Sequence, residues 1–104
     1  IDGAFSHAIR KTAAKGEYRI QSLYGGKEQA VTPSESDIAV ATHVVRAMPG
    51  DTAPLYARID LIRDIDGALM VMEAEAIEPY LYPEQGPQLG DRLASAIKAR
   101  LEAN

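Results

Sequence analysis

The chain has 104 residues, 46% of them hydrophobic, and its 11 basic and 15 acidic side chains give a formal net charge of −4. That length supports one modest domain, and the acidic balance argues against a dedicated nucleic-acid binder. With no cysteine there is no disulfide, no thiolate catalysis and no cysteine-ligated zinc; no apolar run approaches the ~18 residues of a membrane span, so the expectation is a soluble cytoplasmic protein with no membrane partner.

Ile1-Asp2-Gly3 reads as the end of a strand entering an Asp-Gly hairpin turn. A turn without its first strand predicts that the sequence begins inside a longer protein and is a C-terminal piece of it. Ala4 to Lys11 is compatible with a strand and Thr12 to Gly16 with a polar loop. Glu17 to Tyr24, where Tyr18, Ile20 and Leu23 alternate with Arg19 and Gln21, predicts a second strand ending at the turn Gly25-Gly26. Thr32-Pro33-Ser34-Glu35 predicts a helix start, with Thr32 as N-cap, proline in the first helical position and Glu35 closing a capping box. Ile38, Ala41, Val45 and Met48 recur three or four apart as the stripe this helix buries, and Pro49-Gly50 stops it.

A β-hairpin is predicted from Leu55 to Ile77. Alternation puts Leu55, Ala57, Ile59 and Leu61 on one face of its first strand and Arg58 and Asp60 on the other. A two-residue turn at Asp66-Gly67, or a four-residue turn over Asp64 to Gly67, makes paired residue numbers sum to an odd value, so Asp60 falls opposite Glu73. Met70 and Met72 then point away from the acids and read as core. Pro79, Pro83 and Pro87 predict an irregular extended connection, packed by Tyr80 and Tyr82. From Leu89 onward, Leu93, Ala96, Ile97 and Leu101 recur at helical spacing, with Asp91 near the start and Lys98 and Arg100 near the end, as the helix dipole favours. The order strand, strand, helix, strand, strand, helix predicts a single α+β domain over residues 1–104: an antiparallel sheet of hairpin-linked strands packed with two helices.

Carboxylates facing each other across strands repel, so Asp60 and Glu73, with Glu75 on the same face, require a cation between them. A hard divalent metal with oxygen ligands is the natural candidate; the alternative is a surface ion-pair ladder with Arg58 and Arg63. On the metal reading, replacing Asp60 or Glu73 by its amide is expected to raise the melting temperature by relieving repulsion. Before Val31 the bases Arg10, Lys11, Lys15, Arg19 and Lys27 outnumber the acids, while acids dominate afterwards. A basic half facing an acidic half suits a polyanion held through a metal; two solvated faces of opposite sign are the alternative. Gly25-Gly26 is first a turn and second a place for backbone to approach a ligand. His7 and His43 read as polar or structural residues, and Glu78 as a loop carboxylate rather than a third ligand.

Taken in order, Ser6-His7-Ala8-Ile9-Arg10-Lys11, Gly16-Glu17-Tyr18-Arg19-Ile20-Gln21 with Gly25-Gly26, Arg58-Ile59-Asp60 and Met72-Glu73-Ala74-Glu75 resemble the C-terminal part of an ATP-grasp ligase of the glutathione synthetase-like kind. The resemblance covers most of the chain. It implies that Asp60 and Glu73 hold Mg²⁺, with Mn²⁺ as a substitute, and that Glu75 stands where the family usually has an asparagine ligand. That departure adds negative charge and bears on the number and geometry of the metals. Arg58 matches the arginine directed at the γ-phosphate. Arg10 and Arg19 would lie near the transferred phosphoryl group or the substrate carboxylate, and Gly25 and Gly26 in the family's glycine turn.

The implied activity is ATP-dependent joining of a small-molecule carboxylate to an amine through an acylphosphate. The adenine-binding strands and the phosphate-covering loop would lie upstream, so the chain alone is expected to be inactive; a homo-oligomer is compatible with this reading. Such chemistry needs positioned charges rather than a nucleophilic side chain. The competing class is a non-catalytic α+β binding or dimerisation module whose acids and arginines pair between molecules.

Overall fold

The computed structural model describes residues 1–12 and 27–103. The elements run β1 (Ala8–Thr12), β2 (Lys27–Val31), α1 (Glu35–Ala47), β3 (Arg58–Arg63), β4 (Leu69–Glu75) and α2 (Leu89–Glu102). The class is α+β, and among the described residues the strands form two antiparallel two-stranded sheets, β1 with β2 and β3 with β4. The strand expected from Glu17 to Tyr24, with Arg19, Gly25 and Gly26, lies outside the described residues. Among the described residues β1 pairs with Lys-Glu-Gln-Ala-Val, a segment without an alternating apolar signal. Cross-strand pairing, not intrinsic preference, makes that segment a strand.

The Asp2-Gly3 turn forms as expected. Both residues have positive φ (52° and 81°), and Ile1 and Ala4 exchange backbone hydrogen bonds of 2.8 and 3.0 Å, as a type I′ turn requires. Arg100 near the end of α2 ties that turn down, donating from Nε to Asp2 Oδ1 at 3.0 Å and from Nη2 to the Ala53 carbonyl at 2.6 Å.

α1 starts two residues later than the sequence predicts. Ser34, in extended conformation, is the N-cap and its hydroxyl accepts from the Asp37 N–H at 3.1 Å. Capping at Ser34 leaves Pro33 outside the helix and sets Glu35 and Asp37 in the first turn, next to its exposed N–H groups. The helix ends before Pro49, with Gly50 at φ 120°. It packs on β3 and β4, but Ile38, Ala41, Val45 and Met48 are half-buried rather than buried. Among the described apolar side chains only Tyr82 and Ala96 are buried.

The segment after β4 runs as a strap between the two sheets. Glu78 and Tyr82 adopt left-handed φ values of 52° and 53°. The Tyr82 ring is buried beneath Lys11, whose Nζ stands 5.1 Å from the ring centroid, and meets Tyr80 edge-on at 4.7 Å. His7 Nε2 donates to the Leu81 carbonyl at 2.7 Å, since a carbonyl can only accept, and Nδ1 is hydrogen-bonded with the Ser6 hydroxyl at 2.8 Å. Gly86 lies against the His7 ring, so close that an added Cβ would stand 2.4 Å from it. His7 is therefore a structural tie. Among the described residues no helix is long and apolar enough to cross a membrane.

Candidate functional site

The tip of the β3–β4 hairpin determines which side chains share a face. Asp64 N–H donates to the Ala68 carbonyl at 2.8 Å, and Gly67 N–H to the Asp64 carbonyl at 3.0 Å. This is a three-residue loop, Ile65-Asp66-Gly67, with Gly67 at φ 85°. The Asp64 carboxylate fastens it by accepting from the N–H groups of Asp66 and Ala68, each at 2.9 Å. Neither the two-residue nor the four-residue turn expected from the sequence forms. Next to the tip the pairs are Arg63 with Leu69, Ile62 with Met70 and Leu61 with Val71.

A bulge between Leu61 and Asp60 then inserts Met72 as an extra residue, after which Asp60 faces Glu73, Ile59 faces Ala74 and Arg58 faces Glu75. Since β3 alternates without interruption, Arg58, Asp60 and Ile62 share one face with their partners Glu75, Glu73 and Met70. The expected pairing of Asp60 with Glu73 therefore holds. Met70 does not lie away from the acids, because the bulge reverses the facing of β4; both Met70 and Met72 are exposed rather than core.

Arg58 stands at the centre of the acid face. Its Nε and Nη2 donate to the two oxygens of Asp60 at 2.9 and 3.1 Å, the fork-to-fork geometry of the strongest side-chain ion pairs. The same Nη2 lies 3.5 Å from Glu73 Oε2 and 3.3 Å from Glu75 Oε2, and Nη1 donates to the Tyr80 carbonyl at 3.3 Å. One guanidinium nitrogen thus serves three carboxylates. Burial is the largest single influence on Arg58 and pulls its pKa down. The hydrogen bond and charge of Asp60, with the charges of Tyr82 and Glu75, together outweigh it and leave the pKa above its ordinary value.

Arg63 belongs elsewhere. On the opposite face of β3, its Nη2 reaches the Asp37 carboxylate of α1 at 2.9 and 3.1 Å, and Nη1 donates to the Gly67 carbonyl at 3.1 Å. This locks the helix to the hairpin tip and takes Arg63 out of the expected ladder.

Among the described residues no three acidic or histidine side chains stand close enough to hold a metal ion together. The donor chemistry is that of a hard cation's ligands: three carboxylates on one face of the hairpin, Asp60 from β3 and Glu73 and Glu75 from β4. All three already face the Arg58 guanidinium. Carboxylate oxygens 3.1 to 3.5 Å from Nη2 would have to close by about 1 Å to reach the ~2.1 Å of Mg²⁺ ligation.

A groove of about 660 Å³ separates the two sheets and is lined by Arg10 and Lys11 of β1, Arg58 and Asp60 of β3, and Tyr82 of the strap, among others. Arg10 and Arg58, far apart in sequence, therefore open onto one space. Arg19, Gly25 and Gly26 fall outside the described residues. Sequence reasoning missed Lys11 over Tyr82 and the Tyr80 carbonyl that receives Arg58. The first has no motif to announce it, and the second is a backbone atom that any residue would supply.

No family model matches the chain, and no solved structure matches it. The chain is similar to the cycloserine biosynthesis protein DcsG of Streptomyces lavendulae, with 34% identity over 112 residues, covering 98% of this chain and 36% of that protein. The chain thus spans about a third of the length of the curated relative it matches.

Proposed function

We propose that the chain is the C-terminal, metal-binding part of an ATP-dependent carboxylate–amine ligase. The observation that carries this reading is the gathering of Asp60, Glu73, Glu75 and Arg58 on one hairpin face beside a groove that Arg10 also lines. Asp60, Glu73 and Glu75 would hold Mg²⁺ or Mn²⁺ with the nucleotide; the ion supplies neutralisation of the phosphate charge. Arg58 and Arg10 would steady the phosphoryl group as a substrate carboxylate oxygen attacks the γ-phosphorus and ADP departs. Arg19, Gly25 and Gly26 would contact phosphate or substrate. The amine nitrogen then attacks the acyl carbon, inorganic phosphate leaves, and the amine's proton passes to solvent. The relative's name places it in a biosynthetic pathway, a setting in which amide-forming ligases have a place.

The test is ADP release by the full-length protein with Mg²⁺-ATP, screened over pairs of small carboxylates and amines, with hydroxylamine present to trap the acylphosphate as a hydroxamate. Wild type should give both products with at least one carboxylate, and Asp60→Asn should give neither while remaining folded. Equal turnover by Asp60→Asn would overturn the assignment. No turnover with any pair, together with a stable dimer in sedimentation, would favour a non-catalytic dimerisation module. That alternative draws on the exposed Ile62, Met70 and Met72 of the same hairpin.

A further inference from the structure

We infer that the groove between the two sheets is the slot of a further β-strand, the stretch of the full-length protein that leads into the Asp2-Gly3 turn, and that this strand joins β1 to β3 in one antiparallel sheet. This rests on the proposed function only in taking the chain as part of a longer protein. A strand that turns a face to a groove gives every second residue to its lining, whereas a strand that turns its edge gives them in succession. Every residue from Gly3 to Lys11 and from Ala57 to Arg63 lines the groove, so two strand edges look at each other across it. Each strand is paired on its far side only, β1 to β2 and β3 to β4, and among the described residues neither makes a backbone hydrogen bond outside its own ladder. The first four residues of β3 are half-buried, where N–H and C=O groups are costly to leave unpaired.

The Asp2-Gly3 turn identifies the occupant. A type I′ turn joins antiparallel neighbours, and Ile1 and Ala4 close this one by exchanging hydrogen bonds, so the arm entering at Ile1 runs back alongside the stretch from Ala4 to Lys11. Asp2 N–H donates to the carbonyl of Leu55, just before β3, at 2.8 Å, and Ile1 itself lines the groove. The arm therefore passes between β1 and β3, antiparallel to both. A rise of ~3.4 Å, a strand spacing of ~4.8 Å and a layer spacing of ~10 Å allot about 160 Å³ to a strand residue, so the groove of about 660 Å³ takes about four, against five in β1 and six in β3. Helix α1 lies on the Arg63 face of β3, and its Ile38, Ala41 and Val45 line the groove, so the strand's side chains on that face are apolar. Once the slot is filled, ladders on both sides hold the Arg10 and Arg58 strands two spacings, about 10 Å, apart.

Two measurements on the full-length protein, neither involving nucleotide, test this. Amide hydrogen exchange followed by NMR tells an edge strand from an interior one, because in an antiparallel pair only alternate residues give their N–H to a given neighbour. Consecutive amides from Ala8 to Lys11 and from Ile59 to Ile62 should exchange at least about 100-fold more slowly than unprotected amides. Protection at alternate residues only would leave both edges free and overturn the strand. Its identity is read by a disulfide between Ile9→Cys and a cysteine at the upstream residue that the turn's register sets opposite, a non-hydrogen-bonded position where side chains approach most closely. That pair should close under mild oxidation, and a cysteine moved one residue along, onto the other face, should not. Continuous protection with no such disulfide, with an intermolecular one, or with one between Ile20→Cys and Ile59→Cys instead, would assign the slot to another occupant and overturn the proposal. A protein that passes both tests yet forms no acylphosphate would overturn the ligase reading and leave the strand standing.

Discussion

Gly86→Ala probes the strap that joins the two sheets. Gly86 has no left-handed φ, so alanine is conformationally acceptable there and the cost is steric. The new Cβ would stand 2.4 Å from three atoms of the His7 ring, whereas carbon atoms in contact settle near 3.5 to 4.0 Å. The ring must withdraw by about 1 Å or more, which breaks its 2.7 Å bond to the Leu81 carbonyl. Overpacking of this kind costs about 1–3 kcal/mol and the lost hydrogen bond about 1 kcal/mol, so a destabilisation of about 2–4 kcal/mol is expected. Urea unfolding reads it as a lower midpoint at constant slope, about 1 M or more for a domain of this size. In a His7→Ala background the same substitution meets no ring and should cost under ~1 kcal/mol, a coupling of about 1–3 kcal/mol between the two sites. A Gly86→Ala protein within ~0.5 kcal/mol of wild type, or an equal cost in both backgrounds, would refute the contact.

Two further substitution pairs follow from the structure. Ser34→Ala should cost about 1 kcal/mol in chemical denaturation as the α1 cap is lost, whereas Thr32→Ala should change stability by under ~0.5 kcal/mol; the reverse order would restore the earlier helix start. Asp60→Asn should lower the melting temperature, because two charge-assisted bonds of a mostly covered pair worth about 1–2 kcal/mol are weakened, while Glu73→Gln, half-exposed and 3.5 Å from Arg58, should stay within ~0.5 kcal/mol of wild type. A higher melting temperature for Asp60→Asn would mean that the acids repel despite Arg58.

The pairing of Asp60 with Glu73 was legible from parity, although the tip that parity assumed does not form. The three-residue loop displaces the register by one, and the bulge at Met72 displaces it back, so two departures cancel between those residues. Met70 lies inside the displaced stretch, which is why its face was misread. A single residue's slip is invisible in composition but reverses every side chain beyond it. The elements with strong local chemistry, α1, α2 and the Asp2-Gly3 turn, were readable because caps, periodicity and positive-φ residues are local. β2 was not, since Lys27–Val31 owes its form to Ala8–Thr12. The sequence offered metal or ion pairs for the acid face. It could not reveal that Arg58 would be shared among three carboxylates, because the bulge governs that convergence and no residue type encodes it. Alternation along β3 places Arg63 on the face away from Arg58, but that helix α1 would set Asp37 against it is a tertiary contact no local pattern announces.

The strap also has a mechanical consequence. The two sheets have separate hydrogen-bonded ladders, and neighbouring carbonyls hold one side each: Tyr80 receives Arg58 from β3, and Leu81 receives His7 at the foot of β1. Those carbonyls belong to successive peptide units, so the anchor of one sheet and the anchor of the other are separated by the backbone of Leu81 alone. Each unit is planar and stiff, and the two soft dihedrals of that residue are the joint between them. The spacing of the two anchors is therefore set at a single residue of the strap rather than by either ladder.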